Sequence, residues 1–269
     1  MPGTLVSFHA HPDDDTILVG GTLVLATDAG HRVVLVFATR GDLGEVDDGV
    51  LAPDEELADR REAEARRAAD ILGVARVEFL GYGDSGMAGE ATNDAPGAFA
   101  GADLEEAAGR LADILREERA ELLTVYDDRG GYGHPDHIQV HHVGRRAAAL
   151  AGTPRVYAAT VSHEHYLDLA SAMSDAVPEG VDVPDPESLD LGVPDALITT
   201  RVDVSAVLDR KRASMAAHAS QIPAESFFLT LPPEQFRLAF GTEWYVRLDE
   251  TPAEPETWIF NSNPRHLST

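Results

Sequence analysis

Two stretches carry side chains that can do chemistry. The first is His9-Ala10-His11-Pro12-Asp13-Asp14-Asp15, at the end of the apolar run Leu5-Val6-Ser7-Phe8. The second is Gly130-Gly131-Tyr132-Gly133-His134-Pro135-Asp136-His137, after the apolar run Leu122-Leu123-Thr124-Val125-Tyr126. In each, an apolar strand runs into His-Pro-Asp, which puts imidazoles and carboxylates at the carboxyl edge of a sheet, where open α/β folds hold their ligands. The chain has no cysteine, so a metal here must take nitrogen and oxygen ligands. Hydrolytic zinc sites keep three protein ligands and an open position for water. His11, Asp14 and His137 can supply two imidazoles and one carboxylate. An aspartate pair after a strand is, taken alone, more often a helix N-cap than a metal ligand; the pairing of the two stretches is what points to metal.

A base must still take the proton of the attacking water, and Asp13, beside a ligand, is placed for that. Pro135 suits the first position of a helix, which sets His134 at the cap and His137 in the first turn. His134 is then free to stabilise an oxyanion or protonate the leaving amine, and Tyr132, between glycines, can bring a phenol to the same oxyanion. If His134 works protonated and Asp13 ionised, activity rises and then falls with pH, and the alkaline limb belongs to His134. Asp136 is expected behind the ligands, accepting an imidazole N–H, and His9 is expected to be packed or orienting a ligand. His141 shares a helix face with His137, but no glutamate follows His137 to act as base, which argues against a zincin pair. His31 and His142 are expected in solvent.

The elements that must position these residues read as alternating strands and helices. After the first strand, Thr16 to Ala26 is continuously apolar and suits a helix packed on a sheet, ending at Gly30. Arg32 to Ala38 has the β-branched, apolar character of a strand buried on both faces. A charged helix from Glu55 to Leu72 closes at Gly73 and is followed by a strand at 76–80 and a long loop from Gly81 to Gly101. Asp103 caps a helix from Leu104 to Arg119. Beyond the helix at Pro135 come strands at 156–161, around 197–200 and at 243–246, with a helix from Ser205 to Ala219. The expectation is an α/β, Rossmann-like fold, a mostly parallel sheet with helices on both faces, as a single domain over 1–269 with elaborated loops. The acidic, proline-rich stretch at about 178–194 reads as an exposed excursion.

Composition narrows the partners. A formal net charge of -26 repels a phosphate backbone, so nucleic acid is not expected. No secretory leader and no bilayer-length apolar run is apparent, so no membrane is expected and the location is read as cytoplasmic. Lys211 is the single lysine, and the acidic balance is compatible with adaptation to high salt.

The two motifs, standing as Ala10-His11-Pro12-Asp13-Asp14-Asp15 and His134-Pro135-Asp136-His137, resemble the signatures of the LmbE-like, or PIG-L, zinc-dependent N-deacetylases, a family that includes the mycothiol-pathway deacetylases. The resemblance covers most of the chain. It implies an N-deacetylase acting on an N-acetylated amino sugar, with zinc on His11, Asp14 and His137, Asp13 as base, His134 stabilising the tetrahedral intermediate and Tyr132 polarising the carbonyl. It also implies substrate contacts for Asp84, in Asp84-Ser85-Gly86-Met87, and Arg61, and a recurring C-terminal segment, Lys211 to Gln221, without a stated role. Iron(II) is the other candidate ion, and a homo-oligomer is left open. Asp15 stands where most members have glutamate, and 166–194 departs from the mycothiol enzyme. The alternatives are an amidase on a larger thiol or sugar conjugate, a non-heme iron(II) oxygenase built on the same two-histidine, one-carboxylate set, and a binding protein without catalysis.

Overall fold

The computed structural model describes residues 2–173 and 191–260. Seven strands form one sheet in the order β3-β2-β1-β4-β5-β7-β6. β1 (Thr4–His9), β2 (Arg32–Thr39), β3 (Arg76–Tyr82), β4 (Leu122–Tyr126) and β5 (Arg155–Thr160) run parallel to one another, with Leu5 registered on Val33 on one side and on Leu122 on the other. β6 (Thr200–Asp203) and β7 (Thr242–Arg247) complete the sheet in antiparallel fashion, β7 against β5. The chain leaves β1 for β2 on one side, and β4 returns to the other side of β1. The gap between the carboxyl ends of β1 and β4 is therefore the switch point of the sheet, and both histidine motifs emerge there.

The helices are α1 (Asp14–Leu18), α2 (Gly20–Asp28), α3 (Leu57–Leu72), α4 (Leu104–Glu117), the single turn α5 (Gly130–Gly133), α6 (Pro135–Ala151), α7 (His163–Met173), α8 (Leu208–Ala216), the short α9 (Phe227–Thr230) and α10 (Pro233–Phe240). They cover both faces. Val6 and Phe8 of β1 pack with Leu111 of α4 and Val140 of α6, while Leu5, on the other face, packs with Leu23 of α2 and Leu72 of α3. This is the alternation of a strand buried on both sides.

Several expectations need adjustment. The apolar stretch after β1 is two helices broken at Val19, because Asp14 starts a short helix of its own and Gly20 and Gly21 open the next under a buried carboxylate. Glu243 of β7 accepts the N–H groups of Gly21 (2.7 Å) and Thr22 (2.8 Å) and the ammonium of Lys211 (2.7 Å), so the first turn of α2 is satisfied from the far end of the chain. The strand expected around 197–200 begins at Thr200, with Leu197 in a 3-10 turn. The helix expected from Ser205 starts as a 3-10 turn and becomes α-helical at Leu208. Most of the acidic, proline-rich stretch lies outside the described residues.

Candidate metal centre and active site

His11 leaves β1 through Pro12 into a turn whose next residue, Asp13, has φ 102° and ψ -35°. That conformation is uncommon for a residue with a Cβ. The turn is clamped from α3: the buried Arg61 donates to Pro12 O (2.7 Å) and Gly41 O (2.7 Å) and lies 3.3 Å from Asp13 Oδ2. The guanidinium fills the space where a Cβ on Gly41 would stand, 2.4 Å from Arg61 Cζ, so the glycine in the loop after β2 makes room for the arginine. The resemblance brought Arg61 forward as a substrate contact; two of its N–H groups are engaged by the protein.

On the other side of the switch point, Gly130 takes φ 65° and packs against the first turn of α6; a Cβ there would come within 2.8 Å of Ile138 N. The chain then passes Tyr132 and caps α6 with His134, whose Nδ1 accepts the N–H of Asp136 at 3.2 Å. The cap forces a tautomer: with Nδ1 accepting, the ring proton sits on Nε2. Burial, reinforced by His11 and His137, pushes the His134 imidazole down to about 4. A neutral His134 would donate through Nε2, in contrast to the protonated His134 expected from the sequence.

The two motifs converge. Asp14 Oδ2 lies 3.5 Å from His11 Nδ1 and 3.4 Å from His137 Nε2. Ligands about 2.0–2.1 Å from a tetrahedral ion stand roughly 3.4 Å apart, and the two separations from Asp14 to the imidazole nitrogens match that spacing. His137 Nε2 is buried without a hydrogen-bond partner, although burying an unpaired polar atom is costly. Burial disfavours charge on His11, but hydrogen bonds to the carboxylates of Asp136, Asp14 and Asp84 outweigh it and raise its pKa well above the ordinary value. Burial likewise opposes the charge on Asp14, and His137 and His11 overcome it to hold the carboxylate well below the usual range. A cluster that draws a proton onto an imidazole in this way is one that favours a cation. The nitrogen and oxygen donors fit a divalent ion such as zinc or iron(II). The groups whose donor atoms all lie within 4.8 Å of one another are His11, His134 and His137, and His11, Asp84, His134 and Asp136; Asp14, expected from the sequence as a ligand, is in neither and meets the two imidazoles only pairwise.

Behind the cluster, Asp136 supports His11 rather than its own neighbour His137. Its Oδ2 is 3.1 Å from His11 Nε2, and Ser85 holds it by a hydroxyl bond of 2.5 Å and a backbone N–H bond of 3.0 Å. Ser85 had no signal in the sequence apart from its place next to Asp84. Asp84 is buried, accepts the N–H groups of Leu43 (3.3 Å) and Gly86 (2.9 Å), and lies 3.5 Å from His11 Nε2. Tyr126 was missed as well: its ring lies 4.4 Å from that of His137, and its hydroxyl meets His9 Nδ1 at 3.1 Å. His9 therefore acts through Tyr126, while His141 gives Nδ1 to the Tyr126 carbonyl, one turn away from the cluster. Tyr132 is 57% exposed, with its ring edge-on to His137 at 5.2 Å. His31, expected in solvent, is buried; it accepts the Gly3 N–H and stacks on Phe260 at 3.6 Å.

The C-terminal segment packs against this turn. His218 is fully buried, 3.9 Å from Asp15 Oδ1, while the backbone and hydroxyl of Ser220 bond Glu64 of α3. Gln221 reaches Glu45 O beside the loop after β2.

A family profile described as PIG-L, GlcNAc-PI de-N-acetylase, matches residues 6–148. A 1D-myo-inositol 2-acetamido-2-deoxy-alpha-D-glucopyranoside deacetylase of Acidothermus cellulolyticus is 40% identical over 264 residues, 93% of this chain and 90% of that protein. Among solved structures, the N,N'-diacetylchitobiose deacetylase of Pyrococcus horikoshii superposes with a TM-score of 0.62 at 22% identity, covering 92% of this chain and 84% of that one. GalB, a 4-carboxy-2-hydroxymuconate hydratase of Pseudomonas putida, has the same TM-score of 0.62 and 22% identity over 94% of this chain and 98% of its own. The fold thus serves more than one reaction, and the sequence relationship is what separates them. The chain belongs to the PIG-L, GlcNAc-PI de-N-acetylase, family.

Proposed function

We propose that this protein hydrolyses the N-acetyl amide of a glucosaminide, of the kind for which its relatives are named, using a divalent ion, zinc, held by His11, Asp14 and His137. The observation that carries the reading is the placement of Asp14 Oδ2 at 3.5 and 3.4 Å from two imidazole nitrogens, with a second carboxylate, Asp13, next to it in the chain and paired with Arg61. Bound there, the ion supplies a Lewis acid for the carbonyl and lowers the pKa of a water.

The remaining work falls to side chains. Asp13 takes a proton from the attacking water and returns it to the amine nitrogen. Burial pushes its carboxyl up, against the pull of Arg61, to about 6, close to where a group that both accepts and donates at neutral pH should stand. Arg61 fixes the Asp13 turn. His134, neutral and protonated on Nε2, donates to the developing oxyanion, and Tyr132 donates from the exposed side. Asp136 and Ser85 hold the His11 ring, and Asp84 faces the sugar from the same loop.

The direct test is to strip the protein with a chelator, add back zinc or iron(II), and follow acetate and free amine released from N-acetylglucosaminyl-inositol and N-acetylglucosamine. The reading expects loss of activity on stripping and equal yields of acetate and amine on restoration. Acetate release that persists after complete stripping would sink the metal assignment.

A further inference from the structure

The cluster lies between two cavities of opposite character. One, of about 400 Å³, is walled by Asp84, Arg61, Glu90 and Gln221. The other, of about 560 Å³, is walled mainly by Ile17, Leu169, Phe228, Phe240 and Trp244. Asp13, Asp14 and Tyr132 line both, so the two meet at the reacting centre.

We propose that the apolar cavity receives the acyl chain of the scissile amide, and that the enzyme hydrolyses N-acyl glucosaminides with chains of roughly four to eight carbons as well as or better than acetyl. The proposal rests on the deacetylase reading above and names its acyl specificity. An amide whose carbonyl sits at the cluster extends in two directions, its amine side into one cavity and its acyl side into the other. A polyhydroxylated sugar matches carboxylates, a guanidinium and an amide; a hydrocarbon chain matches the aromatic walls. A methyl group fills little more than the roughly 30 Å³ share of one water, so acetyl alone leaves most of an apolar chamber to solvent. Lys211 and Glu243, which also line the chamber, bond each other at 2.7 Å and are satisfied without a ligand. The step itself is unchanged: the water oxygen bonds to the acyl carbon, the C–N bond breaks with its electron pair going to nitrogen, and nitrogen takes the proton, giving a carboxylate and a free amine.

The experiment measures kcat/KM of the zinc-loaded protein on N-acetyl, N-butyryl, N-hexanoyl and N-octanoyl glucosamine. Each buried methylene should raise kcat/KM roughly threefold to fourfold until the chamber is full. Phe228→Asp should cut the hexanoyl-to-acetyl ratio by about tenfold or more. In case that variant does not fold, hexanoate added to the wild-type protein should change the emission of Trp244, an effect that acetate does not produce and Trp244→Phe abolishes. Acetyl turnover with kcat/KM falling at each added carbon, or no emission response to hexanoate, would overturn the acyl proposal and leave the deacetylase reading standing. No hydrolysis of any member of the panel would overturn both.

Discussion

Asp13 combines a backbone angle seldom taken by a non-glycine residue with a carboxyl that burial pushes up to about 6. Strain of this kind persists where surrounding contacts fix it, and here Arg61 does so. Asp13→Gly should therefore raise the unfolding free energy by about 1 kcal/mol in a denaturant titration while abolishing turnover. His134 gives a sharper test. Its pKa is pushed down to about 4, so it is neutral above that pH and stays a donor on Nε2 through the neutral and alkaline range. His134→Ala should lower kcat by roughly 10²-fold or more, evenly from pH 6 to 9, leaving the shape of the profile intact. A selective loss of the alkaline limb would restore the protonated role that the sequence alone suggested. The sequence showed which residues converge, because strand ends and helix caps are local. It could not show the tautomer, which depends on the Asp136 N–H reaching His134 Nδ1.

At the scale of elements, the loop after β3 and the first turn of α6 are joined by Ser85 and Asp136, a contact between distant segments that no local pattern announces. Replacing Asp136 with Ala should weaken metal affinity by about 10- to 100-fold, read by competition with a chelator, since supports behind ligands have effects of that size. The lock between β7, α2 and α8 was equally hidden. Lys211 and Glu243 are both 1% exposed, and the carboxylate also serves two backbone N–H groups. Glu243→Ala should cost about 3–5 kcal/mol in denaturant unfolding by stranding the buried ammonium, and Lys211→Met combined with Glu243→Leu should cost less than the single change. The parallel part of the sheet was legible because its strands are buried on both faces and read as apolar runs. Strand β7 was located to within a residue at each end and β6 only roughly, while their order was not legible, because pairing between distant segments leaves no periodic signal.

Across the whole molecule, the net charge of -26 and the carboxylates gathered at the switch point act in the same direction. Self-repulsion destabilises the compact state, so the melting temperature should rise between about 0.05 and 1 M KCl as the screening length shortens. A flat or falling melting temperature would show that the surface charges are already paired. Among the described residues, no helix is long and apolar enough to cross a membrane. The alternation of strand and helix made the fold class readable, and the two histidine motifs made the centre readable. The apolar chamber beside it was not, since its walls come from α1, α7, α9, α10 and β7, which only the folded chain assembles. The central claim is that this assembly hydrolyses an N-acetyl glucosaminide through Asp13, beside a metal that Asp13 does not bind. The measurement is acetate release and metal content, side by side, for wild type and Asp13→Asn. The account predicts a fall in kcat of roughly 10²- to 10⁴-fold with one divalent ion per chain retained. Equal acetate release by the two proteins would contradict it, as would loss of the ion from Asp13→Asn.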